Sequence, residues 1–315
     1  MQFPAPSPSK LLSFEFSPEW LALLAVALIE IIWIQATGFR LHASWDDAQV
    51  SGVVLATMFG LRLFAYRRGS LIAEYLALTL CMALVFQVFS YLCMAASGPL
   101  VDRQLLAIDR TLGFDWLAGW HFLIAHPFLM TVMRWLYKSL TYQALYMCLL
   151  LGLMTRVTAL REVFWIIFLS AIVTSLFAII LPAYGPFEIF GLSSHGSFLP
   201  DMKHLKSGGV MEFKLSELTG VICFPSFHTV MALGYAYSLR RTGIIGYTIA
   251  MANAVMLLSV PFVGGHYVID MIAGAAVFGL ATLGVRHALL RKTVPGEDPL
   301  KDVMLPALDP VREIA

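Results

Sequence analysis

The stretch "VICFPSFHTVMALGYAY", residues 221–237, is apolar enough to enter a membrane, yet it opens on Pro225, Ser226 and His228. A second run, "FVGGHYVIDMIAGAAVFG", residues 262–279, again sets an ionisable pair, His266 and Asp270, at the mouth of an apolar segment. Ionisable groups inside a bilayer are costly, so they face cavities, partners or functional sites rather than lipid. Two such mouths in one chain ask for a common explanation.

The rest of the sequence supplies the setting. Hydrophobic residues make up 59% of the chain and charged residues 13%, against about 25% charged in an ordinary soluble domain. Apolar windows of the length needed to cross the hydrocarbon core fall at 19–38, 48–66, 72–95, 128–153, 162–182, 222–240, 244–263 and 267–289. The fold class is therefore all-α, a polytopic membrane helix bundle of about eight transmembrane helices. The tight link between the last two windows leaves seven spans or a re-entrant turn open. Residues 1–18 read as a cytosolic N-terminal tail, 19–292 as one membrane domain, and 293–315 as a polar, Pro-containing cytosolic tail. The N-terminal segment lacks the charged, apolar, small-residue order of a cleavable signal. A net charge of +1 speaks against a nucleic-acid partner. Cys81, Cys93, Cys148 and Cys223 have no metal-binding spacing and read as packing residues.

Orientation follows the arginines and lysines. Arg67/Arg68, Arg156/Arg161 and Arg240/Arg241 follow the second, fourth and sixth windows, and Arg286, Arg291 and Lys292 close the last. The other side is poorer, with Arg103 and Arg110 balanced by Asp102 and Asp109. Both termini are thus expected in the cytosol, with the histidine mouths facing outward. The segment 96–127, carrying Trp116 and Trp120, suits either a helix lying in the interface or a partly buried outer loop.

At those mouths the residue types suggest acid–base and nucleophilic chemistry. His266 and Asp270 are spaced i, i+4, so a helix beginning near Gly265 would stack them on one face. Asp270 could then hold one ring nitrogen and leave the other free to attack. His228, in the first turn of a helix after Pro225–Ser226, could protonate a leaving oxygen. The unsatisfied N–H groups of that turn, with the Ser226 hydroxyl, would make an anion site. Arg134, Tyr137, Lys138 and Thr141 share one helix face on the outer side; they could contact a phosphate or simply snorkel. A catalytic zinc on His228, His266 and Asp270 is a rival reading. A transporter or scaffold, with Glu30, Gln87 and Arg62 as polar groups in spans, is another.

"PSFHT" and "GGHYVIDMIAG" resemble the second and third signature motifs of the type 2 phosphatidic acid phosphatase superfamily. The resemblance extends over about 128–289 and implies a six-helix membrane core with no metal or other cofactor. It implies His266 as the nucleophile that forms a phosphohistidine, Asp270 as its orienting acid and His228 as the general acid. The usual glycine before the first histidine is Phe227, and the arginine of the third motif is replaced by Val260, although Ser259 is kept. No clear first motif is present; Lys138 matches only by position. These departures, with "LPAYGPFEIFG", resemble the branch containing fungal inositol phosphorylceramide synthase and its bacterial relatives, which brings Tyr184 and Pro186 near the substrate. "HYVID" is also close to the sphingomyelin synthase motif. Arg134 and Lys138 are the nominees to replace the missing arginine, with Ser226, Tyr137 and Tyr184 completing the phosphate and substrate contacts. The expected protein is a lipid phosphatase or phosphotransferase acting on a membrane lipid, with a bacterial inner membrane and a periplasmic site as its expected place. The acceptor, water or an alcohol, is left open.

Overall fold

A computed structural model describes residues 17–42, 67–208 and 212–292. The described residues form twelve α-helices and two short strands. The long ones are α1 (Pro18–Thr37), α2 (Arg67–Ala95), α5 (Pro127–Leu153), α6 (Val157–Ile180) and α12 (Val268–Lys292). Between them lie α3 (Asp102–Thr111), α4 (Trp116–Ala125), α7 (Pro186–Ile189), α8 (Leu199–Lys206), α9 (Phe227–Ser238), α10 (Ile244–Leu257) and α11 (Val260–Val263). Strands β1 (Arg40–His42) and β2 (Glu212–Lys214) pair in parallel, Leu41 opposite Phe213.

Local chemistry sets the ends of these helices. Pro18 occupies the first turn of α1, where its missing N–H is no loss. Gly38, at φ 70°, ends that helix by donating its N–H to the Ile34 carbonyl. The Asp115 carboxylate caps α4 by accepting the Ala118 N–H at 3.0 Å. Pro127 then opens α5 after a bend of 111° from α4.

Helix α6 is the hub. It packs on α2, α5, α9 and α12, and it is the most apolar of the four single helices long enough to cross a membrane. A helix apolar all round belongs inside a bundle, and Leu160, Val163, Phe164, Ile167 and Ala171 all lie in the main core with Leu78, Leu151 and Val230. A second core gathers Tyr91, Trp116, Trp120, Phe187, Leu199 and Phe213.

Four helices, Pro18–Thr37, Arg68–Ala95, Val157–Ile180 and Val268–Ala288, are each long and apolar enough to cross a membrane, and the bent pair α4–α5 gives a fifth candidate. The expected 48–66 span and Arg62 lie outside the described residues. The windows at 222–240 and 244–263 are shorter as helices than as apolar runs: α9 has 12 residues and α10 has 14. Pro225 lies just before α9, and Pro261 with Gly264 and Gly265 breaks the chain before α12, where hydropathy alone sees no interruption. The tryptophans of 96–127 are not interfacial anchors. Trp116 and Trp120 stack on each other with centroids 5.6 Å apart and are buried, Trp116 donating its indole N–H to the Pro261 carbonyl at 3.0 Å.

Of the polar groups expected in spans, Gln87 donates its side-chain amide to the Leu218 carbonyl. Glu30 is buried in α1, and its Oε1 meets no hydrogen-bond partner among the described residues.

Candidate active site

The site lies where three breaks in the helices meet: the 181–185 turn, the 221–226 segment leading into α9, and the 264–267 turn leading into α12. Two glycines interlock there. Gly185, at φ 90°, sits so close to the 264–267 turn that a Cβ on it would lie 2.3 Å from the Gly265 carbonyl oxygen. Gly265, at φ 67°, packs against Phe187, which a Cβ would approach to 2.7 Å. Neither position tolerates an ordinary side chain.

His266 is not on a helix face, as its spacing from Asp270 suggested; α12 begins two residues later, at Val268. The pair meets by a different device. Asp270 is the third residue of α12, and its Oδ2 reaches back to accept the N–H of Tyr267 at 2.8 Å, the return half of a capping box. The same oxygen lies 3.4 Å from His266 Nδ1 and accepts the Cys223 thiol at 3.2 Å. His266 Nδ1 has a nearer partner in the Cys223 carbonyl, at 2.9 Å. A carbonyl oxygen can only accept, so this contact puts the proton on Nδ1 and leaves Nε2 with its lone pair. Both side chains are buried, His266 at 3% and Asp270 at 0% exposure.

His228 stands opposite, its ring centroid 5.8 Å from that of His266. Tyr137 of α5 stacks on it at 4.5 Å, and its hydroxyl lies 2.9 Å from where a Gly264 Cβ would be. Tyr137 is thus within the site. Arg134, one turn earlier on α5, and Lys138 are exposed, and neither makes an ion pair among the described residues. The Ser226 hydroxyl is fully buried and caps α9, accepting the Thr229 N–H at 3.4 Å. Tyr184 is half-buried and its backbone N–H is held by Asp102 at 3.0 Å.

The two helix N-termini differ. That of α12 is occupied by carboxylate: Asp109 of α3 accepts the N–H groups of Val268 at 2.8 Å and Ile269 at 2.9 Å, and Asp270 takes that of Tyr267. That of α9 is open, because the N–H groups of Phe227 and His228 have no partner among the described residues. Unpaired first-turn N–H groups and the helix dipole attract anions. The arrangement therefore offers an anion one place, at the start of α9 beside both histidines.

Sequence reasoning missed Asp102, Asp109, Cys223 and Tyr267. Asp102 accepts the Gly185 N–H at 2.7 Å and the Tyr267 hydroxyl at 3.0 Å besides the Tyr184 N–H. Burial raises the pKa of both Asp102 and Asp109, against the lowering effect of the N–H and O–H groups they accept. The seven-residue spacing of the two aspartates, which places them on one helix face, was the signal available. Val260, where the resembled motif has arginine, is fully buried in the main core, so no cation comes from that position.

As for a metal, Cys223 Sγ, His266 Nδ1 and Asp270 Oδ2 lie within 4.8 Å of one another and could hold one ion; His228 is not in that group. A separate hollow of about 570 Å³ opens beside the strand pair, lined by His42, Asp201, His204, Glu212, Lys214 and Glu217. None of the expected site residues lines it.

The structure is an all-helical bundle with several helices apolar enough to cross a membrane and two facing histidines, one of them beside an aspartate. The sequence profile of the PAP2 superfamily matches residues 103–284, more than half of the chain, and the chain belongs to that superfamily. The match begins upstream of the 128–289 segment that carries the motif resemblance, and takes in α4 and all of α3 but its first residue, Asp102. No curated protein and no solved structure matches the chain significantly. Members of the superfamily are phosphatases and phosphotransferases, and the apolar helices fit an integral membrane protein.

Proposed function

We propose that this chain is a metal-independent lipid phosphatase or phosphotransferase that works through a phosphohistidine on His266. The observation that carries the reading is the hold on His266 Nδ1 by the Cys223 carbonyl and Asp270, which leaves Nε2 as a nucleophile. The phosphate of a lipid ester binds at the open start of α9. Nε2 attacks phosphorus, the P–O bond to the alcohol breaks, and His228 gives that oxygen its proton. Water or an acceptor hydroxyl, deprotonated by His228, then attacks phosphorus and breaks the P–N bond. Arg134 and Lys138 supply cations from the outer part of α5; Tyr137 and Tyr184 border the substrate. Ser226 acts through its cap on α9.

The finer assignments belong to the same reading. Residues 19–292 form one membrane domain of eight crossings with its motif-bearing core at 128–289, and α9 and α10 are its short crossings. The tails 1–18 and 293–315 lie in the cytosol, and the site faces the periplasm of a bacterial inner membrane. The branch of inositol phosphorylceramide synthase-like phosphotransferases, with a sphingolipid-type substrate, is supported by "LPAYGPFEIFG" and by the replacement of the motif arginine with Val260.

A metal-dependent hydrolase is the second reading, favoured by the Cys223–His266–Asp270 grouping. One experiment separates them: phosphate release from a panel of lipid phosphates by purified protein, with and without EDTA and vanadate, beside His266→Ala. Turnover that survives EDTA, falls with vanadate and disappears in the variant is expected. Loss with EDTA would move the assignment to the metal reading. If free phosphate fails to appear, a labelled head group should transfer to an added lipid alcohol; failure of both ends the enzymatic proposal.

A further inference from the structure

Helix α3 lies outside the long helices, yet its two acidic side chains turn inward to the nucleophile's turn. Asp102 and Asp109 are buried at 7% and 0% exposure, while Arg103, Gln104, Ile108 and Arg110 on the other side are exposed. Between them the two carboxylates take five donors: the N–H groups of Tyr184, Gly185, Val268 and Ile269 and the hydroxyl of Tyr267. These donors flank His266 on both sides. Tyr267 is its immediate neighbour, Val268 and Ile269 follow, and Gly185 packs on the carbonyl of Gly265. No donor among the five belongs to α3, so each bond ties α3 to another part of the site.

We propose that Asp102 and Asp109 are positioning residues for the reaction, holding the 264–269 turn so that His266 Nε2 meets the phosphate bound at the start of α9. This rests on the phosphohistidine reading above. Two physical effects are combined. Asp109 fixes the first turn of α12 by accepting the N–H groups of Val268 and Ile269, two and three residues beyond His266. Asp102 holds the Tyr267 hydroxyl and the 184–185 backbone together, which sets the separation of the substrate-side loop from the nucleophile. A shift of about 1 Å in a reacting atom can cost roughly 100-fold in rate, whereas substrate binding at α9 uses none of these bonds.

The test uses purified full-length protein and the lipid phosphate that wild type turns over best. Tyr267→Phe removes a single hydroxyl, and Asp109→Asn keeps the size of the side chain while removing its charge. Each is expected to lower kcat about tenfold or more with KM within about twofold, and Asp109→Glu should recover part of the kcat. Thermal melting in detergent checks the fold, and Tyr267→Phe, which loses no backbone cap, serves if Asp109→Asn does not fold. Folded Tyr267→Phe with kcat within about threefold of wild type overturns the proposal, as does a change confined to KM. Absence of turnover in wild type, or activity retained in His266→Ala, would instead strike the phosphohistidine reading itself.

Discussion

Asp102 is the residue at which the energetics of the site are most exposed to measurement. Its carboxyl is buried and its pKa stands above the ordinary carboxylate value, burial outweighing the three groups that donate to it. A folded pKa above the unfolded one means that the folded chain binds the proton more tightly. The stability contributed by this titration is present below the unfolded value of about 3.9 and is lost as pH rises through the folded value. Asp102→Asn cannot titrate. The melting temperature of wild type relative to Asp102→Asn should therefore fall as pH is raised from about 4, and a constant or rising difference would show that the hydrogen bonds outweigh burial. His228, His266 and Asp270 were legible in the sequence because each sits in a short local pattern beside a helix start. Asp102, Asp109 and Cys223 were not, because their partners are 42 or more positions away and nothing local marks a carboxylate as another helix's cap. Asp102 and Asp109 even read as mere balance for Arg103 and Arg110.

Among the elements, the crossing of α9 and α12 sets the distance between the two histidines. Gly274 of α12 lies against the first turn of α9, where a Cβ would come within 2.4 Å of the Ser226 carbonyl oxygen and 3.2 Å of Thr229 Cβ. At the same crossing the Ser226 N–H donates to the Asp270 carbonyl at 2.9 Å. Gly274→Ala must push the helices apart or break that bond. We expect a loss of roughly 1–3 kcal/mol, the usual cost of overpacking, seen as a lower melting temperature. The rate should fall further than stability does, by about tenfold or more, because the His228 and His266 rings separate. A variant that melts lower yet turns over normally would show that the crossing does not set the catalytic distance. The long helices were readable from hydropathy, with α1, α2, α5, α6 and α12 falling close to the apolar windows. Helix α9 and the broken segment before α12 were overextended because apolar residues continue through Pro225 and Pro261. The inward turn of Trp116 and Trp120 was hidden for a different reason: in a membrane protein, lipid-facing and protein-facing apolar residues have the same hydropathy.

At the scale of the whole molecule, the two ends of the bundle carry different chemistry, and contacts around α6 show which is which. Its first turns bind the start of α1 through Arg161–Glu19 at 3.0 Å and the end of α9 through Arg240–Glu162 at 3.0 Å. Its last turn meets the 98–101 segment that leads into α3, where the Ile179 carbonyl accepts the Gly98 N–H at 2.9 Å, and the Pro182 carbonyl just beyond accepts that of Val101 at 2.9 Å. The arginine-rich end and the histidine end are therefore opposite ends of the helix hub. The proposed orientation, which follows the positive-inside rule, sets the arginine end in the cytosol and predicts that α3 and both histidines lie on the far side. Single cysteines at exposed positions make this measurable: Thr111→Cys on α3 and Arg241→Cys after α9. In intact right-side-out vesicles a membrane-impermeant maleimide should label Thr111→Cys, whereas Arg241→Cys should react only after permeabilisation. Of the native cysteines, Cys93, Cys148 and Cys223 are buried and Cys81 half-buried, so unsubstituted protein gives the background. The reverse labelling pattern would turn the site toward the cytosol, and the lipid phosphates to be tried would then be those of the inner leaflet.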